Sequence, residues 1–186
     1  MKKQLFVSIL VFCLVAVVAH GQQSNSVVDL IMNSYSARTF TSEPVSAGDI
    51  EVILKCGIKA PSASNRQPWK FTVVRELSLM QQMIGNVVDG NVLILVSGPV
   101  EGATVDYDCG LATENMTIAA QSLGLGARIY TGPIRNINST MTQTLQIPEG
   151  WRAVAVLKVG HIEKNVDATS AASPRNNYED VVTFLR

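Results

Sequence analysis

The stretch Ala60–Phe71, A-P-S-A-S-N-R-Q-P-W-K-F, decides how the rest of the chain is read. An apolar run at helical spacing precedes it and an alternating run, Lys70 to Arg75, follows it. It is therefore a loop leading into a sheet, with Pro61 and Pro68 restricting its backbone. Loops carried on rigid elements commonly present groups to ligands. Between Ser62 and Trp69 this one offers two hydroxyls (Ser62, Ser64), two amides (Asn65, Gln67), a guanidinium (Arg66) and an indole (Trp69). Amides donate and accept in one plane, which suits a flat heterocycle with alternating N–H and C=O groups on its edge. The plainer reading of the same residues is a polar surface loop anchored to the core by Trp69.

Outward from the loop, the pattern alternates between helix and strand. On its N-terminal side Pro44 to Lys59 carries a helix start signal, Ser46 with Asp49 three residues on, then Ile50, Ile53, Leu54 and Ile58 at helical spacing. Earlier still, Val27 to Asn33 reads as a short helix that runs into S-Y-S-A-R-T-F. On the C-terminal side, Leu77 to Val88 is predicted helical. Asn91 to Ser97, N-V-L-I-L-V-S, is a continuous apolar run suited to a central strand. Asp106 to Leu123 is the strongest helix and is apolar on more than one side, so it buries two surfaces, in a core or against a partner. Ala127 to Pro133 reads as a short strand and turn, Asn138 to Leu145 as a small helix, and Trp151 to Gly160 as a strand. Glu163 to Ser173 is a tail rich in Ala, Ser and Asp.

The first residues predict an export signal. Lys2 and Lys3 precede an apolar run from Leu5 to Ala19, and small residues Ala19 and Gly21 favour cleavage after Gly21. The run is shorter than the ~20 apolar residues of a membrane span, so no stable membrane insertion is expected after cleavage, a retained anchor being the alternative. Residues 1–21 are thus read as a signal peptide and 22–186 as a single domain, long enough for one core. Without Lys2 and Lys3 the formal charge falls from zero to minus two, and nothing in it points to nucleic acid as a partner. Beyond residue 21 only Cys56, Cys109 and His161 remain of the usual soft ligands, so no metal site is expected. Cys56 and Cys109 sit in apolar helical contexts; buried thiols or one disulfide are both open.

The central loop closely resembles the flavin-contacting loop of the nitroreductase family, whose pattern is A-P-S-x-x-N-x-Q-P-W-x-F. S-A-R-T-F (Ser36 to Phe40), E-N-M (Glu114 to Met116) running into G-L-G (Gly124 to Gly126), and Pro174-Arg175 follow the family's order. The resemblance covers roughly Val27 to the C-terminus. It implies an α+β, nitroreductase-like fold, a central mainly antiparallel sheet flanked by helices, and a homodimer. It also implies an FMN-dependent oxidoreductase with NADH or NADPH as co-substrate and a flat, electron-poor small molecule as acceptor. The cofactor contacts it implies are Pro61, Ser62, Ala63, Asn65 and Gln67 in the loop, and Ser36, Arg38 and Arg175 at the phosphate. Thr131 and Gly132 fall beside the reactive ring nitrogen. Asp108 opens a stretch that looks like the family's D-x-G-x-A-x-x-N and is a further cofactor neighbour; a carboxylate stabilising the helix start explains it equally well. The family commonly has cations where this chain has Ser34 and Ser173, which leaves an exported flavin-binding homologue without turnover as the alternative. No side-chain acid or base is required, and none is assigned as catalytic.

Overall fold

The computed structural model describes residues 26–163 and 173–185; the predicted signal peptide and most of the Glu163 to Ser173 tail lie outside them. Four strands form one antiparallel sheet in the order β1-β2-β4-β3, with β1 at Lys70–Val74, β2 at Val92–Pro99, β3 at Gly126–Tyr130 and β4 at Trp151–Gly160. The apolar run Asn91 to Ser97 sits where its composition requires, between two neighbours and buried on both faces. Alternation of side chains along β2 divides the core in two. Val92, Ile94 and Val96 turn to one face, Leu93 and Leu95 to the other.

On the first face lie α2 (Ala47–Ile58) and α4 (Val105–Ser122), contributing Ile50, Ile53, Cys109, Met116 and Ala120. The start signal of α2 works as read: the Ser46 hydroxyl accepts the Asp49 N–H at 3.0 Å. Helices α2 and α4 approach closely at Gly57, where an added Cβ would lie 2.7 Å from Met116 Cγ. Helix α1 (Ser26–Met32) leans on α4. The second face is covered by α3 (Leu77–Met83) and α5 (Ile134–Thr140), with Met80, Met83, Ile137 and Leu145 against Leu93, Leu95 and Val156. A last short turn, α6, spans Tyr178–Val181.

Two helices differ from expectation. Helix α3 stops at Met83, not Val88, because Gly85, Asn86 and the Asp89-Gly90 pair favour a turn. Asn91 then fixes that turn, accepting the Val88 N–H at 3.1 Å and donating to the Thr41 carbonyl. Helix α5 begins at Ile134, four residues before Asn138, because Pro133 supplies the start and Ile134, Ile137 and Met141 supply the apolar face. Asn138 is instead a side-chain tie to β4: its amide accepts the Ala153 N–H at 2.7 Å and donates to the Ala153 carbonyl at 3.2 Å.

Candidate functional site

The loop after α2 is held by its own polar groups and by α4. The Ser62 carbonyl accepts the Asn65 N–H at 2.9 Å, and the Ser62 hydroxyl accepts the Gln67 N–H at 2.9 Å. Three residues stand in the left-handed region, Ser64 at φ 53°, Asn65 at 54° and Gln67 at 50°. Such backbone costs on the order of 1 kcal/mol or more per residue and persists only where the surroundings hold it, as at ligand sites. What holds it here is Asp108. Its buried carboxylate accepts the Ala63 N–H at 3.1 Å through one oxygen and the Thr104 hydroxyl at 3.0 Å through the other. Gly98 gives the loop room from beneath, since a Cβ there would meet the Pro68 carbonyl oxygen at 2.9 Å. Cys109 lies against the same carbonyl; burial first, then the Asp106 carboxylate, push its thiol up to about 11. Both Cys56 and Cys109 are free thiols. The polar side chains left exposed are Ser64, Asn65, Arg66 and Gln67, with Gln67 donating to the Asn65 side-chain oxygen at 3.3 Å.

A second feature runs along α4. Asp106, Gly110, Thr113, Glu114, Thr117 and Gln121 recur at three- and four-residue steps and so share one side of the helix. Facing β3 and β4, they line two cavities that meet at Ile129. The first, about 350 Å³, has Thr131 and Arg152 in its wall. Arg152 is paired with Asp106 at 2.5 Å. The second, about 180 Å³, has Ser34, Ser36 and Arg175 in its wall. From Gly110 to Gln121 the groove follows ~16 Å of helix.

The expected residues therefore fall in two groups. Ser36 and Arg175, distant in sequence, share one end of the groove, and Thr131, with Gly132 next to it, stands at the other. Arg38 is exposed and is not part of the wall that holds Ser36 and Arg175. Pro61, Ser62, Ala63, Asn65 and Gln67 stand together on the loop. At 100° per residue, however, the loop's anchor Asp108 lies on nearly the opposite side of α4 from Asp106 and Gly110. Asp108 itself is wholly buried, with both oxygens engaged by protein. Glu114, Thr117 and Gln121 were not singled out from the sequence as ligand contacts. Their signal was present as a polar stripe recurring along an otherwise apolar helix.

Fold and groove together define an α+β protein shaped for an elongated ligand, with hydroxyl, amide and guanidinium groups waiting along it. Comparison with known proteins agrees with that outline. The family model "Nitroreductase family" matches residues 31–91 and 86–161. A protein of Archaeoglobus fulgidus, provisionally named NADH dehydrogenase/NAD(P)H nitroreductase, is 32% identical over 151 residues, 74% of this chain and 86% of that one. An FMN reductase (NADPH) of Bacillus subtilis is 27% identical, covering 74% of this chain and 66% of its own length. Among solved structures, a provisionally named nitroreductase of Desulfovibrio desulfuricans in complex with FMN superposes with a TM-score of 0.76 at 28% identity, covering 88% of this chain and 98% of that one. The chain belongs to the nitroreductase family, and its fold is the nitroreductase fold.

Proposed function

We propose that this chain is an FMN-dependent oxidoreductase that takes electrons from NADH or NADPH and passes them to a flat, electron-poor molecule of the nitroaromatic or quinone class. The carrying observation is the pair of cavities that adjoin at Ile129 along α4, with Thr131 in the wall of one and Ser36 with Arg175 in the wall of the other. Their walls fit a flavin: the wider cavity has room for a ring system, and the narrower one holds hydroxyls and a guanidinium for the side chain that the ring carries. The flavin itself supplies the redox chemistry when bound. The chain's part is to bind, orient and polarise. Asn65 and Gln67 meet the ring edge, the Thr131–Gly132 turn brings backbone N–H groups to the ring end, and Arg152, its charge paired with Asp106, borders the same cavity. The names of the relatives, FMN reductase and NAD(P)H nitroreductase, support the same reading.

The test is spectroscopic. A yellow protein that bleaches when NADH or NADPH is added without oxygen is the expected result. One that stays yellow is the alternative, a flavin-binding homologue without turnover. A colourless protein that cannot be reconstituted with flavin ends both readings.

Two further parts of the proposal concern the molecule's setting. A homodimer is favoured because Tyr107, Leu111 and Ile118 form an apolar stripe on α4 between the groove and the loop's anchor, and Tyr107 is 70% exposed. Beside the stripe, α1, α2 and α4 line an open apolar depression of about 530 Å³. Since groove and loop lie on opposite sides of α4, a second copy lets the loop of one subunit reach the groove of the other. Export is favoured by Lys2, Lys3 and the apolar run Leu5 to Ala19. Mass spectrometry of the secreted protein should find an N-terminus at Gln22.

A further inference from the structure

The narrow end of the groove is unusual for a phosphate site in its charge and in its acceptors. Among the described residues its wall contains one guanidinium, Arg175, and one carboxylate, Glu114, whose formal charges cancel. The remaining polar groups of the described wall are neutral: the hydroxyls of Ser34, Tyr35, Ser36 and Thr117 and the amide of Gln121. Gln121 donates its Nε2–H to the Tyr35 carbonyl at 3.0 Å, which fixes the amide's orientation. Its Oε1 is then shielded from water and has no hydrogen-bond partner among the described residues. A buried acceptor left in that state is costly until something donates to it.

A phosphate dianion cannot meet these demands. It brings acceptor oxygens and close to two negative charges, and it would lie beside a carboxylate and an orphaned amide oxygen. A chain of hydroxyl groups can meet them, because each hydroxyl donates to an acceptor such as Glu114 or Gln121 and still accepts from Ser36 or Arg175. Resting on the flavin reading above, we infer that this end of the groove recognises the polyol chain of the flavin and not its phosphate, so that riboflavin serves the site about as well as FMN.

The measurement is the dissociation constant of each flavin for the purified, flavin-stripped protein, read by quenching of flavin fluorescence. A charge-assisted grip on the phosphate would favour FMN by about tenfold or more. The expected result is a preference for FMN of less than about tenfold over riboflavin. A Glu114→Gln variant should bind FMN about threefold or more tighter than the parent, since a negative neighbour has been removed, with no matching gain for riboflavin. A larger preference for FMN in the parent, or no gain for FMN in the variant, overturns the inference while the flavin assignment stands. Binding of neither flavin overturns both.

Discussion

Lys158 is the residue most at odds with its surroundings. It is 1% exposed on β4, with its ammonium against the Phe40 ring at 3.9 Å and donating to the Asn86 carbonyl. Burial first, then the nearby Arg128 guanidinium, hold its pKa down from 10.5 to about 8. The unfolded chain therefore binds more protons than the folded one between about pH 8 and 10.5, and the stability of the parent rises with pH across that window. Below it the burial cost is present in full. Lys158→Met should raise the melting temperature at pH 7 by about 5 °C, and the advantage should shrink as the pH approaches 10.5. Thermal scans of both proteins from pH 7 to 10.5 check this; a constant gap would remove Lys158 as its source. Asp108 acts through others. Asp108→Ala strips partners from the Ala63 N–H and the Thr104 hydroxyl, so urea unfolding should show a loss of about 1–3 kcal/mol. Flavin affinity should also fall, because the left-handed run Ser64, Asn65 and Gln67 loses its tether.

At the scale of elements, local chemistry was legible and competition between neighbours was not. Helix α2 was readable because Ser46, Asp49 and the isoleucine spacing agree, and β2 because seven consecutive residues suit burial on both faces. The loop announced itself through residues that few other roles would combine. The start of helix α5 is hidden in the sequence because Asn138 looks like a helix starter, yet its amide is committed to Ala153, a partner thirteen residues beyond the helix end that only the fold brings near. Helix α3 is shorter than its pattern for a related reason: Val88, beyond its end, is held in a turn by Asn91, which donates to Thr41, fifty positions earlier. The groove was half legible. Ser36, Thr131 and Arg175 were named, but Glu114, Thr117 and Gln121 become a wall only once β3 lies beside α4. Close packing of α2 on α4 carries its own test. Gly57→Ala pushes a methyl group into Met116 and should cost about 1–3 kcal/mol in chemical denaturation, with Met116→Ala in the same chain restoring the room but not the lost packing.

For the whole molecule, the proposed dimer predicts that Ile118→Glu shifts the mass seen by light scattering from two chains to one. Flavin affinity should fall in the same variant, since the loop and the groove would no longer meet. A variant that stays monodisperse at the parent's mass removes the α4 stripe as the contact. The two described thiols bear on the same face. Cys109, sealed beneath the loop with its thiol pushed up to about 11, is almost wholly protonated at neutral pH. Cys56, partly exposed, borders the apolar cavity beside Asn115 and Ile118. A maleimide dye offered to the folded domain will couple at Cys56 and pass Cys109 by. The native chain thus carries a ready attachment point for a reporter whose colour tells whether protein or water covers that flank.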